Sequence, residues 1–226
     1  MKNILLVVGL VSMSAMSCKT LATMISPTTF ETVAALKEVM NSSAFKAISK
    51  INSMNNGAEG VLPANVTPVL NTLKALGLGK EIDEINGHIA KASKIAGQES
   101  AIIMKDAIAD VTFKDAAAVV LGGGDAATAV LKEKMYGSVT KRYSARLDQE
   151  LGKTNALQYW GTAAQAYNLF ASQKVDSSLS DFLAKRAVDA AFLGMGVEEQ
   201  KIRTDYKSLG SSVVTKVFDY YGKKKS

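Results

Sequence analysis

The sequence predicts an all-α fold, a single compact domain of about seven to eight helices. Three observations support this. Only three prolines interrupt 226 residues, so long stretches are free of the ring that breaks a helix. Apolar residues recur at spacings of three and four, the period of one helical face. Strand-favouring runs are scarce. With 47% apolar residues, a chain of this length buries a core without a disulfide or metal staple, in keeping with its single cysteine.

Residues 1–17 read as a signal peptide. Lys2 precedes the apolar run Ile4-Leu5-Leu6-Val7-Val8-Gly9-Leu10-Val11, and Ser12, Ser14, Ala15 and Ser17 form a small-residue exit before Cys18. The run falls short of the ~20 residues a spanning helix needs. Ala15 and Ser17 suit ordinary signal peptidase, while Ala15-Met16-Ser17-Cys18 resembles a lipobox with Ala15 and Met16 off its usual pattern. Both cuts fall before Cys18. A lipid there accounts for a lone thiol at the new N-terminus of an exported chain, where a free thiol is a liability; an incidental cysteine is the other reading. Acyl chains such as palmitate would hold the protein to the bacterial membrane, each buried methylene contributing ~0.8 kcal/mol. The expected location is the periplasmic face of the outer membrane, or otherwise the periplasm or cell surface. Residues 18–28 form a tether, 29–222 the helical domain and 223–226 a basic tail.

Within the domain, Phe30, Val33, Leu36, Val39 and Met40, then Phe45, Ile48 and Ile51, mark a helix over Thr29–Met54 with a break at Asn41-Ser42-Ser43. A helix from about Asn65 to Leu76 carries Pro68 in its first turn, where proline is tolerated, and stops at Gly77. Ile82, Ile85, Ile89 and Ala92 give the next helix its stripe, and Ala101, Met104 and Ile108 do so for another after Gly97. Thr112 with Asp115 has the form of a capping box for a short helix through Leu121, ended by three glycines.

A long helix follows from Ala126 to about Leu151, with Leu131, Met135, Val139, Tyr143 and Leu147 drifting round it. Leu157, Trp160, Ala164, Tyr167 and Phe170 define another. Ser178 with Asp181 forms a second capping box, opening a helix that runs to Thr204. Val213, Val214, Val217, Phe218 and Tyr221 define the last. Tyr159, Trp160, Tyr167 and Phe170 fall at core spacings and read as packing.

The chemistry-bearing residues exclude more than they assign. His88 is the only histidine, so histidine-cluster metal sites are absent and any Ser-His-Asp or Cys-His machinery would rest on one position. His88 lies off the Ile82/Ile85/Ile89 stripe, as a boundary or surface histidine does. Gly122-Gly123-Gly124-Asp125 precedes a helix as phosphate cradles do, yet lacks Gly-Lys-Ser/Thr and Gly-x-Gly-x-x-Gly; Asp125 reads as the helix's own cap. Lys132, Lys134, Lys141, Arg142 and Arg146 gather positive charge on the long helix, a solvated face by default and a contact for acidic lipid or a polyanion otherwise. Glu199 and Arg203 stand one turn apart as an ion pair, worth only ~0.2–0.5 kcal/mol if exposed and a different matter if buried. No metal or cofactor is expected, no residue is singled out as catalytic, and no nucleic-acid partner is expected despite a net charge of +6.

Val61-Leu62-Pro63, Leu76-Gly77-Leu78-Gly79, Asp106-Ala107-Ile108, Asp115-Ala116, Gly124-Asp125-Ala126-Ala127-Thr128, Leu179 through Phe192, Glu198-Glu199 with Ile202-Arg203, and Lys216-Val217-Phe218 occur in this order. Together they resemble a bacterial family known as domain of unknown function 4197. The Gly-Asp-Ala-Ala-Thr turn and the Glu-Glu-x-x-Ile-Arg stretch are its most specific parts. Asp205-Tyr206 and Ser208-Leu209-Gly210-Ser211 stand where the family usually has Asp-Pro and Ala-Arg-Thr-Thr. The resemblance implies an exported, often lipid-anchored helical protein with no assigned activity. The expectation is therefore a non-enzymatic envelope lipoprotein whose helical domain binds a partner protein, a lipid or a small ligand. Two alternatives stand beside it: a carboxylate-dependent envelope enzyme using Asp189, Glu198 and Glu199, and a protein binding polyanions or anionic lipid through its basic helix and tail.

Overall fold

The structure, a computed structural model, describes residues 25–54, 71, 74–75, 77 and 79–224. These form α1 (Thr29–Met54), α2 (Gly79–Asp110), α3 (Ala116–Leu121), α4 (Ala126–Leu151), α5 (Ala156–Phe170), α6 (Leu179–Thr204), a 3-10 turn (Tyr206–Leu209) and α7 (Ser212–Lys224). There is no strand among the described residues. Cys18 lies outside them, as does the helix expected over Asn65–Leu76 except for Asn71, Lys74 and Ala75, which are helical.

Local chemistry sets most helix starts. Thr28 Oγ1 accepts from the Glu31 amide at 3.1 Å while the Glu31 carboxylate accepts from the Thr28 amide at 2.8 Å, a complete capping box. Asp115, rather than Thr112, caps α3, accepting from the Ala118 amide at 2.9 Å. The Thr112–Asp115 box is thus replaced by a single cap one turn later. At α6 the Ser178 hydroxyl accepts from the Asp181 amide at 3.1 Å, as the spacing predicts, but Asp181 does not reach back. Asp176 accepts the Ser178 amide at 3.1 Å, and Asp181 accepts the Ser144 hydroxyl of α4 at 2.5 Å.

Two expected helix boundaries are absent. α1 runs unbroken through Asn41-Ser42-Ser43. Ser43 is buried, and its hydroxyl donates to the Val39 carbonyl at 2.8 Å, so the helix satisfies the polar group that would have competed with it. α2 likewise continues through Gly97. That glycine serves packing: a Cβ there would stand 2.6 Å from Asn52 Oδ1, and Asn52 Nδ2 donates to the Gly97 carbonyl at 3.2 Å. The last turn of α1 therefore rests directly on the α2 backbone.

α1, α2, α4 and α6 form a four-membered ring in which neighbours pack side by side and diagonal pairs meet little. Contacts along each pair fix its direction. Lys37 reaches the Ala109 carbonyl and Asn52 reaches Gly97, so α1 and α2 are antiparallel. Arg142 pairs with Asp106 and Arg146 with Glu99, which makes α2 and α4 antiparallel. Thr128 meets Glu199 and Ser144 meets Asp181, and the same follows for α4 and α6. The result is an up-down-up-down bundle, the arrangement that lets four amphipathic stripes share one core. α7 lies antiparallel on α1 through Lys216–Glu31 and Ser211–Glu38, and α5 lies against α2 and α6.

The core takes most of the predicted stripe: Leu36, Val39, Met40 and Ile48 of α1, Leu131, Val139, Tyr143 and Leu147 of α4, and Trp160 of α5 are buried. Three of the seven phenylalanines depart from it. Phe30, Phe45 and Phe170 are 82%, 69% and 91% exposed, whereas Ala35, Ala44 and Ala47 are buried. α1 is packed by α2, α3, α6 and α7 together, and a Cβ on Gly194 of α6 would lie only 3.0 Å from Ala47 Cβ. Backbones this close admit alanine and glycine and turn rings outward.

Candidate functional site

The two ends of the bundle differ in chemistry. At the end holding the α4 N-terminus, Glu199 of α6 is fully buried. Its carboxylate accepts from the Ala127 amide at 3.0 Å, the Thr128 amide at 2.7 Å and the Thr128 hydroxyl at 2.6 Å. Asp125 occupies the N-cap position of α4 but makes no side-chain cap bond. It is exposed, and it lies where a Cβ on Gly196 would come within 3.0 Å of Oδ2. The cap expected of Asp125 is thus supplied from another helix. Gly123 and Gly124, at φ +69° and +51°, make the turn that brings the α4 amides to Glu199, and only glycine enters that region without strain.

Arg203 completes the bridge one helical turn on. Its Nε donates to Glu199 Oε1 at 2.7 Å, while its terminal nitrogens donate to the Val120 and Val119 carbonyls at 2.9 and 3.2 Å. The cation meets the carbonyl end of α3 and the anion meets the amide end of α4, each the sign that the helix terminus favours. The Phe218 ring lies under the guanidinium at 5.5 Å. Every Glu199 oxygen is engaged, as a buried charge requires, and this leaves the pair structural.

The other sequence-picked acids are placed apart. Asp189 is exposed and pairs with Lys132 at 3.6 Å. Glu198 pairs with Lys201 at 2.6 Å. Neither is bonded to Glu199, so the three carboxylates hold three different partners. His88 is half-buried, and among the described residues no three metal-ligating side chains gather. The basic stripe of α4 is largely stitched into the bundle: Lys132 to Asp189, Lys134 to the Thr112 carbonyl, Arg142 to Asp106 and Arg146 to Glu99 and Glu150. No helix among the described residues is long and apolar enough to cross a membrane.

At the opposite end the ring forms a partly open cavity of about 250 Å³. Ile48 and Ile51 of α1, Ile103 and Met104 of α2, Val139 and Leu147 of α4, and Leu183, Val188 and Ala191 of α6 supply its apolar wall. Tyr143 joins that wall, and burial pushes its phenol up to about 12. Arg186 belongs both to the cavity and to an adjoining shallow depression with Lys174, Asp176, Lys185 and Asp189. Its guanidinium lies 5.0 Å over the Phe182 ring. Sequence reasoning placed Ile48, Ile51, Met104, Val139, Tyr143 and Leu147 on helix stripes and gave none of the cavity residues a binding role. The available signal was the cluster of small residues Ala187, Ala190 and Ala191 facing Gly97 and Ser100, which leaves space where larger side chains would close it.

The sequence model of a family described as protein of unknown function (DUF4197) matches residues 26–219. The chain belongs to that family. The two segments that carry the resemblance most specifically, Gly124–Thr128 and Glu198–Arg203, are the two halves of the buried bridge. No curated protein matches the chain, and no solved structure does.

Proposed function

We propose that this chain is an exported, non-enzymatic envelope protein, anchored through a lipid on Cys18, whose bundle carries an apolar small ligand in the cavity between α1, α2, α4 and α6. The observation that carries the binding role is the cavity itself. Its volume of about 250 Å³ exceeds the ~150 Å³ of an apolar cavity that accepts benzene. Its lining follows the usual plan of a ligand site, a hydrophobic wall with a few polar groups, here Tyr143, Arg186, Ser100 and Asn52. Bundle interiors are a common place for such sites. Export is supported by the charged, apolar and small-residue order of residues 1–17, and anchoring by the placement of the only cysteine after them.

Native mass spectrometry of the chain purified from its bacterium tests the carrier role, combined with displacement of an environment-sensitive naphthalene probe. The expected result is a bound apolar ligand or saturable probe uptake, reduced at least tenfold by Ala191→Leu, which fills the cavity. A native chain that takes up neither is not a carrier. Mass measurement of the processed N-terminus tests the anchor separately.

A further inference from the structure

We infer that the end of the bundle bearing the α1 N-terminus and the α7 C-terminus is a base that seats on an anionic lipid surface, holding the cavity away from the membrane. The inference rests on the anchoring reading above. Ile25 and Phe30 are 79% and 82% exposed; Ile25 precedes α1 and Phe30 lies in its first turn. α7 runs antiparallel to α1, with Ser211 at Glu38 and Lys216 at Glu31. Continuing that register carries Lys223 past the level of Thr28, to the end where Ile25 and Phe30 protrude. Lys223 is exposed, and the sequence continues with Lys224 and Lys225.

Two acids near this end are already paired, Glu31 with Lys216 and Asp219 with Tyr206 and Lys207. Tyr220 and Tyr221 stack edge-on at 5.1 Å beside the lysines. Apolar side chains, tyrosines and lysines at one end are what a membrane interface retains, and lysines near an anionic surface add to its attraction.

The chain leading to this end identifies the occupant. Six residues lie between Cys18 and Ile25, and the seven extended steps of ~3.5 Å reach about 25 Å at most. A lipid on Cys18 therefore keeps this end close to the bilayer. The cavity lies at the other end of α1, lined by Ile48, Ile51 and Asn52. Some twenty residues of helix at 1.5 Å each place it about 30 Å from Phe30 along the axis. A ligand would then be exchanged with the aqueous space or a partner rather than drawn directly from the bilayer.

Tryptophan quenching tests the seating on the full chain as processed by the cell. Phe30→Trp and, as a control, Leu193→Trp are each bound to vesicles of phosphatidylcholine and phosphatidylglycerol with brominated acyl chains. Both positions are well exposed, so the fold tolerates either change, and native Trp160 is fully buried. The expected result is strong quenching for Phe30→Trp and none for Leu193→Trp or Trp160. Reversing Lys223, Lys224 and Lys225 to Glu should weaken that quenching on the order of tenfold. Vesicle-bound protein with an unquenched Phe30→Trp variant overturns the seating while leaving the anchor intact. Protein that does not bind vesicles overturns both. Equal quenching at positions 30 and 193 also overturns the oriented base.

Discussion

The two ends of this bundle use buried polar chemistry in opposite ways. At one end Glu199 and Arg203 are sealed between the carbonyl end of α3 and the amide end of α4, with both Glu199 oxygens and all three Arg203 nitrogens engaged. At the other end the same four-helix ring leaves about 250 Å³ unfilled, with Tyr143 and Arg186 at its wall. A satisfied buried pair specifies one geometry because any shift unpairs a charge. An unfilled apolar space leaves room for a guest and forgoes part of the packing energy. The contrast puts the satisfied charge pair at the first end and the proposed ligand site at the second.

Breaking the bridge should have the largest effect. Glu199→Ala strands the Arg203 charge and uncaps α4, and urea unfolding of the purified chain should show a loss of about 3–5 kcal/mol. Adding Arg203→Met should recover part of that loss, since it removes the stranded charge. Full additivity of the two substitutions would refute the bridge as a unit.

Alkali should act on the cavity end. The folded phenol of Tyr143 is raised to about 12 by burial, so its stabilising effect is complete below pH 10 and is lost as pH rises through 12. The loss should be roughly 2–3 kcal/mol across that window. Tyr143→Phe should flatten the corresponding limb of the stability profile.

Smaller effects separate tight packing from loose packing. Gly194→Ala presses a methyl onto Ala47 at 3.0 Å, where two backbones cannot give. Helix propensity offsets part of the strain, and a net loss of about 1 kcal/mol is expected from thermal unfolding. Ala191→Leu, at the cavity, should instead raise stability by roughly 0.5–1 kcal/mol, so a destabilised variant would mean that the space is already closed. The smallest change is local. The amine of Lys216 and the Thr28 amide hold the Glu31 carboxyl at about 2. Its contribution is complete above pH 4.5 and is lost as pH falls through 2, visible as fraying of the first turn of α1 by NMR while the bridge end stays folded.

Legibility divided along the same line. The Ser178 cap and the extents of α4 and α6 could be read because each depends on residues within a few positions. The i, i+4 pair of Glu199 and Arg203 was visible too, yet its burial was not, because its partners Thr128, Val119 and Val120 lie more than seventy positions away. Asp125 read as a cap because its residue type and position suit one. Glu199 took the role because it reaches two amides and a hydroxyl at once. Ser43 and Gly97 read as breaks, and became helix interior only because a neighbouring turn or helix uses them.

The sequence by itself determined the helical class, most helix spans and the exclusion of a histidine-cluster metal site, because periodicity, capping and composition act over one or two turns. Tertiary structure alone decided which helices close into the ring, which end is sealed by charge and which is left open. Those outcomes depend on how closely backbones approach, and that distance is set jointly by residues far apart in the chain, such as Ala47 with Gly194 and Asn52 with Gly97.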